Sequence, residues 1–149
     1  MRRLWMDSDE RPTAELLRDG FRWFAQCLEI RSAAAGEPDL SPGAAMTMSY
    51  LDAAPVKPSD LARRMQVSRQ RVHAVLRELS AAGLVELVRD PTSGRDKLIR
   101  VTPAGKRRLR RVAAALAELD QRAAEQLGAE DLALLRQLLI RLVAIPRPR

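Results

Sequence analysis

His73 and Cys27 are each the only residue of their type in the chain, and this removes most covalent chemistry at the outset. A Ser-His-Asp or Cys-His nucleophile has to be built through His73, which lies in the strongly basic stretch RQRVHAVLR. A zinc site takes about four Cys, His or carboxylate ligands at recognisable spacing, and the sequence supplies no such group. Neither GxGxxG nor GxxxxGK[ST], the phosphate-cradling runs, is present. Catalysis is unsupported, and neither cofactor nor metal is expected. A single cysteine forms no internal disulfide. Cys27 stands beside Phe24 and Leu28 on an apolar stripe and reads as structural rather than redox-active.

The residue types present in quantity are cations. Between Lys57 and Arg111 there are 15 Lys+Arg and 5 Asp+Glu, a net +10, while the rest of the chain carries 11 and 14, a net −3. A basic centre flanked by mildly acidic ends indicates a local polyanion site rather than general stickiness. Arginine makes up 23 of the 26 basic residues, a bias that genome composition alone can produce and that is no evidence of function.

Within this centre, QVSRQRVHAVLRELSAAGLV carries the sharpest pattern. Val72, Val75, Leu76 and Leu79 follow the i, i+3, i+4, i+7 spacing of a buried helix face. With Val72 at the centre of that face, Gln70, Ala74, Arg77 and Ala81 point outward, His73 lies at the side, and Arg69 and Arg71 flank the first turn. A helix N-terminus favours acids, yet this one holds two arginines; a bound phosphate reverses the sign of that mismatch. Gln pairs with adenine and Arg with guanine in a major groove, and alanines permit close approach. His73 reads as a polar contact or a solvated side chain, since no partner for a pH switch accompanies it.

These residues need a frame. At 149 residues the chain is long enough for one domain with a real core, in two lobes at most. No apolar run reaches the roughly 18–20 residues of a membrane span and no signal peptide is visible, so a cytoplasmic protein is expected. Residues 1–10 read as loosely ordered. A helix begins near Pro12-Thr13, with Leu17, Phe21, Phe24 and Leu28 on one face, and Gly36 and Pro38 break it. Ser41-Pro42 starts a second helix with Met48 and Leu51 inward and a stop at Pro55. Pro58-Ser59-Asp60 opens a short third helix burying Leu61, Ala62 and Met65. Gln66-Val67-Ser68 is the turn into the fourth, which Gly83 ends. Two strands follow, around Val85–Arg89 and Lys97–Val101, joined by a loop with Arg95 near its tip. Thr102-Pro103 caps a long helix reaching about Leu127, roughly 37 Å, with Val112, Leu116, Leu119 and Ala123 along a seam. Gly128 interrupts, and Glu130–Ile145 forms a last helix with Leu132, Leu135, Leu139 and Leu142 on one face. The terminal helices have more apolar face than one small lobe covers, so a C2 homodimer is expected.

Two helices, a short turn and a hairpin make a winged helix-turn-helix. The stretch LARRMQVSRQRVHAVLRELSAAGLVELVRDPTSGRDKLIRVTPAGKRRL resembles the DNA-binding lobe of the MarR family of transcriptional regulators. The resemblance rests on Leu61-Ala62, Ser68, Leu79, Gly83-Leu84-Val85, Asp90-Pro91, Arg95, and Val101-Thr102 before Gly105, and it extends over nearly the whole chain through the flanking helices. It implies a mainly α fold with a small two-stranded β wing. Residues 40–104 form the winged helix-turn-helix lobe, with 1–35 and 105–149 the two parts of a helical dimerisation lobe. It further implies a ligand-responsive dimeric repressor on a pseudo-palindromic double-stranded operator, with half-sites about one helical turn apart, roughly 34 Å. By this reading Gln70, His73 and Arg77 contact bases, while Ser68, Arg69, Arg71 and Lys57 position on phosphate. Arg95 enters a minor groove with Lys97 beside it. Family wings carry an acid just before that arginine; Gly94 stands there, leaving Asp90 or Asp96 as its brace. Glu86-Leu87 stands where the family has an arginine after Gly-Leu-Val. The basic run Lys106, Arg107, Arg108, Arg110 and Arg111 divides between phosphate contact and solvated surface. A small-molecule effector, phenolic in many relatives, is implied where the lobes meet. The rival readings are a winged-helix protein-interaction module without DNA binding and a small-ligand-binding protein.

Overall fold

A computed structural model of the chain describes residues 11–51 and 54–146, without the side chains of Gly94 and Arg95. The expected loose order of residues 1–10 lies outside the described residues. The elements are α1 (Thr13–Ala34), α2 (Pro42–Met48), α3 (Pro58–Met65), α4 (Arg69–Ala81), β1 (Val85–Asp90), β2 (Ser93–Val101), α5 (Pro103–Leu127) and α6 (Ala129–Val143). The fold is mainly α with one two-stranded antiparallel wing among the described residues, as the periodicities predict.

The chain divides into two compact units, Cys27–Ala113 and a second made of Met1–Gln26 with Ala114–Arg149. The first holds the core. Leu61, Val72 and Leu79 are fully buried with Ile99, and Ala44, Leu76, Leu84 and Val101 join the same cluster. Each apolar residue predicted to face inward on α3 and α4 does so, with Met65 and Val75 half-buried at the edge.

Short helices need defined ends, and side chains supply them. The Ser41 hydroxyl accepts from the Ala44 N–H, with Pro42 in the first turn. The Ser41 N–H and hydroxyl both donate to the Glu78 carboxylate, at 2.6 and 2.7 Å, tying the start of α2 to α4. α2 does not continue to Pro55. It ends at Met48, because the Ser49 N–H and hydroxyl both turn back to the Met46 carbonyl. Ser68 caps α4 by accepting from the Arg71 N–H at 3.2 Å. The turn between α3 and α4 places Gln66 in the left-handed region at φ 55°, and Gly83 ends the α4 segment at φ 70°.

One knot joins α4, the wing and α5. The Thr102 hydroxyl donates to the Gly83 carbonyl at 2.7 Å and accepts from the Gly105 N–H at 3.0 Å, while the Thr102 N–H donates to the Leu84 carbonyl at 3.0 Å. The same residue therefore caps α5 and fixes the α4 exit, which explains why Val101, Thr102 and Gly105 occur at that spacing.

The second unit is thinner. Ala115 and Leu119 of α5 are buried, Trp23 and Phe24 meet edge to face at 4.8 Å, and a cavity of about 300 Å³ is lined by Trp23, Phe24, Ala123, Leu127, Leu132 and Leu135. Neither α1 nor α6 contains a buried residue. α6 begins at Ala129 and ends at Val143, short of the expected Ile145, where an Ile145 N–H to Leu142 carbonyl turn closes it.

Candidate nucleic-acid interface

The outward face of α4 forms the centre of the site. Arg69, Gln70, Arg71, His73, Ala74, Arg77 and Ala81 are all exposed, as is Ser68 before them. The first turn contains no acid. Among the described residues no carboxylate pairs with Arg69, Arg71 or Arg77; the one acid on the helix, Glu78, faces α2 instead. Three guanidiniums and a free amide therefore stand uncompensated on one surface, beside N–H groups that favour an anion.

The wing is built differently from its expected outline. Strand β2 starts at Ser93 rather than Lys97, and the chain reverses at Pro91-Thr92. Asp90 closes this tight turn: its Oδ1 accepts from the Thr92 N–H at 2.9 Å and the Thr92 hydroxyl at 2.7 Å. Register runs regularly from Val85↔Val101 to Arg89↔Lys97, then jumps to Asp90↔Ser93. Gly94, Arg95 and Asp96 are thereby left without partners on β1, as a bulge in β2. Arg95 thus lies within β2, in that bulge, and not at the tip of an open loop; its side chain lies outside the described residues.

The two candidate braces for Arg95 are both engaged by Lys57. Lys57 Nζ lies 2.9 Å from Asp96 Oδ2 and 3.3 Å from Asp90 Oδ2. The hydrogen bonds from Thr92, and then the Lys57 ammonium, hold the buried Asp90 carboxyl below the ordinary aspartate range. Lys57, and a hydrogen bond from Ser93, do the same for Asp96. Reciprocally, Asp96 and then Asp90 raise the Lys57 ammonium above its ordinary value.

Other cations sort by their partners. Arg89 and Lys97 are directly opposed across the wing and exposed. Like charges face to face are destabilising in the free sheet, and among the described residues neither has an ion-pair partner. Arg89 was missed in the sequence because only strand register places it opposite Lys97. Glu86, standing where an arginine was expected, pairs with its cross-strand neighbour Arg100 at 2.9 Å. In the basic run opening α5, Lys106, Arg107 and Arg110 are exposed. Arg108 is buried, donating to the Pro38 carbonyl at 2.8 Å and pairing with Glu37 at 3.2 Å. Arg111 also pairs with Glu37. Arg108 is structural, an outcome that neither phosphate contact nor solvation describes, while Arg111 keeps an exposed side chain beside its pairing; the shared partner is about seventy residues away in sequence.

No group of metal-ligating side chains occurs among the described residues, and no described helix is long and apolar enough to cross a membrane. Cys27 is a half-buried free thiol.

Residues 39–96, from before α2 into the wing bulge, match the family model for the MarR family. The chain is similar to the MarR family over this segment. Solved structures agree in fold. A "probable transcriptional regulator" from Pseudomonas aeruginosa is 26% identical, with a TM-score of 0.68 over 91% of this chain and 99% of that one. The C80S mutant of MarR from E. coli is 20% identical, with a TM-score of 0.69 over 89% of this chain and 97% of that one. MepR of S. aureus in a DNA complex is 19% identical, with a TM-score of 0.64 over 89% and 96%. A search of curated proteins finds no match to the chain. The matched segment spans the outward face of α4 and the Asp90–Lys57–Asp96 cluster together.

Proposed function

We propose that this chain is a sequence-specific double-stranded DNA-binding transcriptional regulator that works as a homodimer. The observation that carries the reading is the acid-free outward face of α4, where Arg69, Gln70, Arg71, His73 and Arg77 stand exposed beside a wing with an unpaired Arg89–Lys97 couple. The MepR–DNA complex, a structural relative, supports the same use of the fold. In this reading α4 enters a major groove. Gln70, His73 and Arg77 meet base edges, and Ser68, Arg69 and Arg71 fix the helix on phosphate. Arg95 reaches an adjacent minor groove, with Lys97 and Arg89 on the flanking backbone.

Residues 40–104 act as the DNA-contacting lobe, and 1–35 with 105–149 as the dimerising lobe. Support for the dimer comes from α6, where Leu134, Leu138, Ile140 and Val143 are between 47% and 81% exposed, more apolar surface than a monomer ordinarily leaves to water. Two copies place two recognition helices on a pseudo-palindromic site. Repression, and relief of it by a small molecule, are the regulatory sense that the family resemblance supports.

Electrophoretic mobility shifts on the DNA upstream of the chain's own gene, at 50 and 200 mM salt, test the reading. The expected result is a shift at low salt that weakens by orders of magnitude at high salt, since phosphate contacts release counterions. Absence of any shift at low salt refutes it.

A further inference from the structure

We infer that Lys57 is a positioning residue for the wing, clamping the 94–96 bulge to the end of β1 through Asp96 and Asp90, and not a phosphate contact. This deepens the DNA-binding reading, on which its functional consequence rests. Gly94, Arg95 and Asp96 have no cross-strand partners, and an unpaired segment containing a glycine has a large conformational freedom to lose. Asp90 is the last residue of β1 before the turn, and Asp96 is the last residue of the bulge. Both carboxylates converge on the single Lys57 ammonium, at 3.3 and 2.9 Å. Asp90 is 6% exposed and its other oxygen is already committed to Thr92, so it can serve as a fixed post.

The other end of the clamp is equally fixed. Val56 exchanges both backbone hydrogen bonds with Ile99 of β2, at 3.1 and 2.8 Å. Pro58 opens α3 immediately after Lys57, and a following proline confines the preceding residue to extended conformations; Lys57 adopts φ −71°, ψ 140°. Its backbone is therefore held between a bridge to the wing and the first helix of the helix-turn-helix. The ammonium transmits that placement to the bulge backbone that carries Arg95. Two carboxylates on one ammonium also leave the cluster with a net negative charge, an unfavourable place for a DNA phosphate.

The two roles for Lys57 predict opposite signs for one substitution. As a phosphate contact, Lys57 is restrained by Asp96, so Asp96→Asn releases the ammonium, removes a negative charge near DNA and tightens binding. As a clamp, Asp96→Asn loosens the bulge and weakens binding. We expect Asp96→Asn and Lys57→Met each to weaken operator binding roughly tenfold, the double variant to lose little more than either single one, and Lys57→Arg to restore most of the loss. The slope of log affinity against log salt should stay that of the wild type. Tighter or unchanged binding by Asp96→Asn, or a slope reduced by about one in Lys57→Met, overturns the clamp.

Amide hydrogen exchange over residues 92–97 in the free protein gives a reading independent of DNA. Faster exchange there in both single variants, restored in Lys57→Arg, is the expected result, and unchanged exchange overturns the proposal. Should wild type bind no DNA, the functional reading fails while the exchange comparison still decides the clamp. Asp96 is half exposed, so Asp96→Asn keeps its shape and leaves the buried core untouched.

Discussion

At Gly105 a Cβ atom would lie 2.2 Å from the Leu84 carbonyl oxygen and 2.7 Å from a Val101 methyl. The obstacle is backbone, so it cannot swing away, and the knot around Thr102 has to open instead. Gly105→Ala should lower stability by about 3 kcal/mol, at the upper end of overpacking effects, read as a lower urea midpoint. The Glu37–Arg108 pair argues a different point. Both side chains are nearly inaccessible, at 4% and 10%, and removing one leaves the other charge buried. Glu37→Ala should therefore cost about 3 kcal/mol, and Glu37→Ala with Arg108→Ala clearly less than the sum of the two single variants. The glycine was legible in the sequence as a spacing after Val101-Thr102. The ion pair was not, because α5 sequence shows five consecutive-looking cations and nothing local to separate Arg108 and Arg111 from Lys106, Arg107 and Arg110.

Among elements, α4 was the most fully legible. Its cap, stop, buried stripe and exposed face all follow from a 3.6-residue period and two punctuating residues, Ser68 and Gly83, so long as α3 and β1 cover the stripe. Its division of labour gives a prediction: Arg77→Ala should relax base preference in a binding-site selection, whereas Arg71→Ala should weaken all sequences alike. The wing was half legible. Its strands and turn residues were visible, but the start of β2 at Ser93 depends on Asp90 closing the turn and on a register jump that no alternation pattern reports. The wing cluster also sets a pH response. Asp90 and Asp96 have depressed folded values, so their contribution is present above the ordinary aspartate value, roughly pH 3.9, and is lost as pH falls through the folded values. Lys57 is raised, so its contribution is full below the ordinary lysine value and is lost only as pH rises through the folded one. The destabilisation caused by Lys57→Met should be present at pH 7 and fade below about pH 4. It reports mainly on Asp96, since Thr92 contributes more than Lys57 to lowering Asp90. Denaturation midpoints of the two proteins at pH 7 and pH 3 check this.

On the scale of the whole molecule, and among the described residues, the Cys27–Ala113 unit has a closed core and the unit of Met1–Gln26 with Ala114–Arg149 does not. With no buried residue in α6 and Ile140 and Val143 mostly exposed, a second chain is the expected cover. Sedimentation equilibrium at micromolar concentration should give twice the 16.6 kDa chain mass, and Leu138→Glu should shift the distribution toward monomer. A wild-type monomer at that concentration would remove the basis for a paired half-site operator.

The amino-acid sequence by itself determined the order and type of the elements, the inward residues of α3 and α4, and the outward cations of α4. These are local properties: helical period, caps, and the sign of charge along one face. Tertiary structure alone decided which cations have a carboxylate partner. Lys57, Arg108 and Arg111 look like their neighbours in sequence, and each is taken up by a carboxylate supplied from elsewhere in the fold: Asp90 and Asp96 for Lys57, Glu37 for the two arginines. Arg89 gains interest for the converse reason, since register sets it opposite another cation. Electrostatic partnership depends on distance in space, and pairs separated by about thirty to seventy residues leave no periodic trace along the chain.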